Sequence, residues 1–249
     1  MSTEIVKVQN LTKKYQNKVV LNDLSFVIHA GERIGIIGAN GSGKSTLSEI
    51  IAGIRPPTRG EVFKSPGLRI GIQFQDSKYP MGITVMDMIR YYCDTFKIKY
   101  DKDELLNLLA TYQLANLAKK NINSLSGGQQ QRLNILLAVI HQPDLVILDE
   151  VSSGLDIEVK EIIFTFLETN IIANHRAMLL VSHNMEEIER FCERILYLHA
   201  GELKADLPVK DVVKDYGSVF NYTKAMFDYY KSHESAANDN QPSQIKRTS

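Results

Sequence analysis

The chain has 249 residues, 44% hydrophobic and 23% charged, with 29 Lys and Arg balanced by 29 Asp and Glu. That length and apolar content can bury the core of one large domain, and the zero net charge argues against a general nucleic-acid or anionic-membrane binder. Two distant cysteines, Cys93 and Cys192, form no metal-ligand spacing and fit small thiols in a reducing compartment.

The N-terminus has no basic-then-apolar leader pattern and no apolar run approaches the roughly 18 residues of a membrane span, so the expected location is the cytosol. Residues 4–30 alternate in the manner of strands, broken by a polar turn at Gln16-Asn17. Ile34-Gly35-Ile36-Ile37 is a buried strand leading into Gly38-Ala39-Asn40-Gly41-Ser42-Gly43-Lys44-Ser45-Thr46, and a helical pattern begins near Leu47. A triphosphate needs backbone N–H groups brought close to its oxygens, a lysine for the β/γ charge and a hydroxyl for Mg²⁺. Gly38, Gly41, Gly43, Lys44 and Ser45 supply all three, and the helix N-terminus adds its partial positive charge.

Past a Pro56-Pro57 breaker, 60–63 and 69–72 resume strand character. Residues 84–122 place Val85, Met88, Ile89, Tyr92, Leu105, Leu108, Leu109 and Tyr112 at spacings of three and four, which marks a helical insert. Leu125-Ser126-Gly127-Gly128-Gln129 opens a helix of about fifteen residues with Ser126 as its N-cap and bare N–H groups at the glycines. Leu145-Val146-Ile147-Leu148 and Met178-Leu179-Leu180-Val181 are continuous apolar runs of the parallel-strand kind. Asp149-Glu150 ends the first of these runs, at the sheet edge where open α/β folds place ligands; Asp149 is suited to hold Mg²⁺ and Glu150 to act as general base. Residues 208–230 hold a small helix and six aromatics (Tyr216, Phe220, Tyr222, Phe227, Tyr229, Tyr230), available either for core packing or for a partner. The polar stretch 232–249 reads as a disordered tail.

With these motifs together, roughly residues 4–205 resemble the nucleotide-binding domain of an ATP-binding cassette (ABC) transporter. The resemblance implies an α/β fold: a P-loop NTPase core of mostly parallel strands, an N-terminal antiparallel β flank and a helical insert at about 82–124, in a single domain over 1–231. It assigns ATP and Mg²⁺ as cofactors, with Gly38, Asn40, Gly41, Ser42, Gly43, Lys44, Ser45 and Thr46 as the phosphate loop and Tyr15 stacked on adenine. Ser45 and Asp149 would hold Mg²⁺, and Glu150 would be the base. Strand alternation alone leaves Gln73 and Gln75 facing the same side. The resemblance favours Gln75, as sensor of Mg²⁺ and water. It also assigns Ser126, Gly127 and Gly128 as the signature that meets the nucleotide of a second ABC domain, Asp156 as part of the segment crossing to that domain, and His183 as the γ-phosphate contact.

By the same resemblance the partners are a second cassette, as homodimer or heterodimer, and a separate transmembrane permease, with no nucleic acid. The chain would then sit peripherally on the cytosolic face of the membrane. Tyr79-Pro80-Met81 is the apolar patch suited to the permease. Gly154 within Ser153-Gly154-Leu155-Asp156 and the short insert incline the reading to multidrug or antibiotic export. The alternatives are a permease-linked signalling or assembly ATPase and a soluble non-transport ABC ATPase. Two departures from the family pattern stand out: Val151 where proline usually follows the base, and Leu137 where the signature helix commonly has arginine.

Overall fold

A computed structural model describes residues 3–74 and 77–239. Two sheets carry the fold. The first is antiparallel, in the order β2-β1-β4, from β1 (Glu4–Tyr15), β2 (Lys18–His29) and β4 (Arg59–Lys64). The second has six strands in the order β5-β6-β7-β3-β8-β9, from β3 (Arg33–Gly38), β5 (Ile70–Gln73), β6 (Leu145–Asp149), β7 (Ala177–Val181), β8 (Arg194–His199) and β9 (Glu202–Pro208). Its first five strands pair in parallel, and β9 closes the edge as an antiparallel hairpin on β8.

Both faces of the parallel sheet are covered, which explains why its strands read as unbroken apolar runs. Ile34, Ile36, Ile147, Leu179 and Val181 join Leu11, Leu21, Leu24 and Ile28 of the antiparallel sheet, together with Leu47 and Ile51 of α1 (Lys44–Ala52). Ile37, Val146, Leu148, Met178 and Leu180 face the other way, into a cluster with Leu133 and Leu136 of α4 (Gly127–Val139) and Ile163 of α5 (Ile157–Phe166). A π-helical turn, Leu167–Ile172, extends α5.

The helical insert holds α2 (Val85–Thr95) and α3 (Lys102–Thr111). Each begins with a reciprocal capping box, Thr84 with Asp87 and Asp101 with Glu104, so the local sequence specifies both starts. The insert leaves and rejoins at a narrow neck, where Ile122 N–H donates to Ile83 O at 3.0 Å and Val85 N–H to Lys120 O at 3.1 Å.

After α6 (Met185–Phe191) and the β8–β9 hairpin come α7 (Val209–Tyr216) and α8 (Val219–Asp239). Two helices thus stand where the sequence suggested one. Residues 232–239, expected to be disordered, continue α8: composition poor in aromatics does not stop a helix already started when Lys231, Glu234, Ala236 and Ala237 are good helix formers. The rest of the expected tail, 240–249, lies outside the described residues.

Candidate active site

The phosphate loop leaves the centre of the sheet and turns directly into α1. Two glycines make the turn possible. At Gly38 (φ 149°) an added Cβ would lie 2.1 Å from Leu198 O, and at Gly43 (φ 103°) 2.5 Å from Leu21 Cδ2. Gly43 caps α1 with no side-chain hydrogen bond, so the first N–H groups of that helix remain directed at the loop. Asn40, Gly41 and Ser45 are exposed, Thr46 is half-buried, and Ser42 and Lys44 are buried.

Lys44 folds back on the loop, its Nζ donating to Gly38 O at 2.9 Å and Ala39 O at 3.0 Å. Burial lowers its pKa, against the attraction of Asp149 and Glu150. Asp149 ends β6 opposite the loop, 5% exposed. Burial raises its pKa, opposed by a hydrogen bond from Ser45. Two buried oxygens here have no hydrogen-bond partner among the described residues, Asp149 Oδ1 and Ser42 Oγ. An orphaned carboxylate oxygen beside an exposed hydroxyl, both hard donors, is the chemistry that Mg²⁺ takes, so Ser45 and Asp149 fit that ion.

Glu150 lies one residue beyond the strand in the left-handed region, at φ 54°. Its N–H donates to Val181 O at 2.8 Å, tying the turn to the end of β7. His183 Nε2 stands 3.3 Å from Glu150 Oε1, with the histidine 44% and the glutamate 14% exposed at the side chain. Strands β6 and β7 are neighbours, and so the sheet brings together a carboxylate and a histidine 33 positions apart.

Tyr15 sits at the tip of the β1–β2 hairpin, paired with Lys18 and 38% exposed. Lys13 Nζ lies 5.1 Å and the Arg55 guanidinium 6.0 Å from its ring centroid. The same hairpin reaches the phosphate loop through Val20 and Leu21, which border Gly43. Gln75 lies outside the described residues. Gln73 is buried at the end of β5, and its Oε1 accepts from Asp149 N–H at 3.2 Å, a structural tie to the backbone of that residue.

The signature stands on α4. Ser126 and Gln129 form a capping box, with Ser126 N–H donating to Gln129 Oε1 at 3.1 Å. Gly127 has open space around it, whereas a Cβ on Gly128 would meet Val159 at 3.1 Å. Asp156 caps α5, accepting from Val159 N–H at 2.9 Å. Val151 and Leu137, the two departures, are both buried in the apolar cluster, where neither removes a polar group from the site.

No local pattern pointed to what borders the loop on its outer side. His199, Ala200, Phe227 and Lys231 line a cavity of about 380 Å³ with Ala39, Asn40, Gly41 and Ser42, so α8 reaches the phosphate loop. The aromatics of this segment divide. Tyr222 and Tyr230 pack against Tyr197, and Tyr230 stacks on His199 with centroids 4.0 Å apart, while Phe220, Phe227 and Tyr229 stay exposed.

This fold and loop define an ATP-binding cassette. The family of ABC transporters matches residues 21–153, and the chain belongs to it. It is 34% identical to the Nod factor export ATP-binding protein I of Rhizobium johnstonii over 218 residues, 83% of this chain and 70% of that protein. It is 33% identical to an uncharacterized ABC transporter ATP-binding protein of Methanocaldococcus jannaschii, over 84% of this chain and 79% of the other. Among solved structures, an ATP-binding subunit of an ABC transporter aligns with TM-score 0.77 at 25% identity, covering 88% of this chain and 98% of the other. A dimeric ATP-binding cassette in a post-hydrolysis state with ADP and Pi aligns with TM-score 0.74 at 28% identity, covering 82% and 98%. The chain is an ABC-type ATPase of a transport system. Among its described residues no helix is long and apolar enough to cross a membrane.

Proposed function

We propose that two such cassettes close head to tail on ATP, each phosphate loop facing the other's Ser126-Gly127-Gly128, and that hydrolysis reopens them to drive a separate permease in export. The observation that carries this reading is the convergence of Lys44, the Ser45–Asp149 pair and the Glu150–His183 pair at one edge of the sheet. Tyr15 stacks on adenine, and Lys44 leaves its loop carbonyls for the β/γ oxygens. Glu150 takes the proton of the attacking water, and His183 contacts the γ-phosphate from the neighbouring strand. When bound, Mg²⁺ supplies charge neutralisation on the phosphates, held by Ser45 and Asp149, with Gln75 as its sensor.

Two helix N-termini cannot both reach one γ-phosphate unless they approach from opposite sides, so Gly127, open on its own chain, and the Asp156 segment serve a partner cassette. Tyr79-Pro80-Met81, with Met81 93% exposed, is the surface for the permease, which holds the chain on the cytosolic face of the membrane. Export rests on the likeness to relatives named for Nod factor export and on the Ser153-Gly154-Leu155-Asp156 pattern.

Mixing tests the shared site. Lys44→Ala and Ser126→Arg proteins are each inactive alone; after exchange, mixed dimers hold one site with both defects and one with none, and ATPase activity reappears. No recovery, with mixed dimers demonstrated, overturns the head-to-tail arrangement of independent sites.

A further inference from the structure

Glu187, on α6, is 2% exposed and takes no part in the chemistry above. So deep a carboxylate is costly to bury unless its oxygens are hydrogen-bonded. Both are: Ser152 Oγ donates to Oε1, and Ser182 Oγ donates to Oε2 at 2.8 Å. Ser182 Oγ in turn accepts from Asn184 N–H at 3.0 Å. Both serines are themselves buried.

Their positions give the carboxylate its meaning. Ser152 follows Glu150 by two residues, and Ser182 precedes His183 by one. The ladder between β6 and β7 ends at Asp149 and Val181, with one further bond from Glu150 N–H to Val181 O. Beyond that point Glu187 bridges the two loops. Glu150 has a backbone conformation that persists only when its surroundings over-determine it, and His183 meets it at 3.3 Å.

We propose that Glu187 is a positioning residue for hydrolysis, which through Ser152 and Ser182 fixes the approach of Glu150 to His183. The inference rests on the reading of Glu150 as base and His183 as γ-phosphate contact. The phosphate loop on β3 and α1 and the hairpin bearing Tyr15 belong to other elements, so loosening this bridge acts on turnover and spares nucleotide affinity.

The test is Glu187→Gln in the full chain. The amide keeps the shape but offers one acceptor oxygen in place of two, so one serine hydroxyl loses its acceptor and faces an N–H donor in its place. Steady-state ATPase kinetics, affinity for the imido analogue of ATP with Mg²⁺, and the thermal midpoint are measured together. The expected result is a kcat lower by about 10- to 100-fold, the scale of a small misplacement of reacting groups, with KM and analogue affinity within about twofold. If Glu187→Gln does not fold, Ser182→Ala is read the same way, and Ser182→Thr, which keeps the hydroxyl, restores kcat. A folded variant with kcat within about twofold of wild type overturns the inference, as does an equal fall in kcat and affinity. Glu150→Gln is run in parallel. If Glu150→Gln still turns over, the base reading itself has failed; if it is inactive while Glu187→Gln is normal, the base stands and only the role of Glu187 falls.

Discussion

Glu150 carries two separable energies, one in its carboxylate and one in its backbone. Replacing it by Gln removes a general base and keeps the side-chain shape; the expected loss of hydrolysis is about 10²-fold or more, or about 2.7 kcal/mol of barrier. Replacing it by Gly removes the same base and also relieves the left-handed conformation at φ 54°. That conformation costs an L-residue about 1–2 kcal/mol, and the extra freedom of glycine in the unfolded chain offsets about 0.4–1 kcal/mol of the gain. Glu150→Ala deletes the same charge beside Asp149 and the same functional group but keeps the left-handed strain, so the difference between the Ala and Gly variants isolates the backbone. Glu150→Gly should therefore be more stable than Glu150→Ala by about 1 kcal/mol, or about 2–4 °C in Tm for a chain of this size. Differential scanning fluorimetry without nucleotide reads the stability, and phosphate release reads the activity. A Gly variant melting below the Ala variant would refute the strain, and near-normal turnover in any of the three would refute the base.

Asp149→Asn should raise Tm at neutral pH by about 2–4 °C, because it removes a buried carboxylate with an unpartnered oxygen, a cost of about 1 kcal/mol or more. The folded pKa of Asp149 lies above its ordinary 3.8, so its charge opposes folding above that value and not below it. The advantage of the Asn variant over wild type, followed by thermal melts across pH, should close below about pH 4, and its further stabilisation by Mg-ATP should be lost. Tyr15→Ala should weaken ATP binding several-fold to tenfold by titration calorimetry while Tyr15→Phe changes little, since stacking contributes on the order of 1 kcal/mol. Equal losses in both would point to the hydroxyl instead.

What the sequence made legible was what burial and local geometry impose on neighbouring residues. The runs at 145–148 and 178–181 stand out because β6 and β7 are covered on both faces, and the phosphate loop because Gly38 and Gly43 take positive φ and lie too close to β8 and β2 for a Cβ. Long-range placement was hidden. Strand β8 begins at Arg194, whose charge is satisfied by Asp206 across the β8–β9 hairpin and by Glu32, far away in sequence, so the charge at its start did not announce a sheet. The helicity of 232–239 reflects continuation from a docked helix, which composition does not register. The left-handed turn at Glu150 and the buried bridge of Ser152, Glu187 and Ser182 depend on two strands meeting, and no window of sequence contains both.

The position of β3 also bears on how the chain is made. The strand that carries the phosphate loop lies between β7 and β8, and both neighbours come from far downstream. A ribosome adding about 5–20 residues per second needs roughly 7–28 s after Gly38 to reach the start of β7, and throughout that time Ile34, Ile36 and Ile37 have no sheet to join. The nucleotide-binding loop is therefore synthesised well before the two strands that flank it. A nascent chain stalled before Ala177 holds every residue of the loop with neither flanking strand, an apolar segment that a chaperone would have to shield until the sheet can close around it.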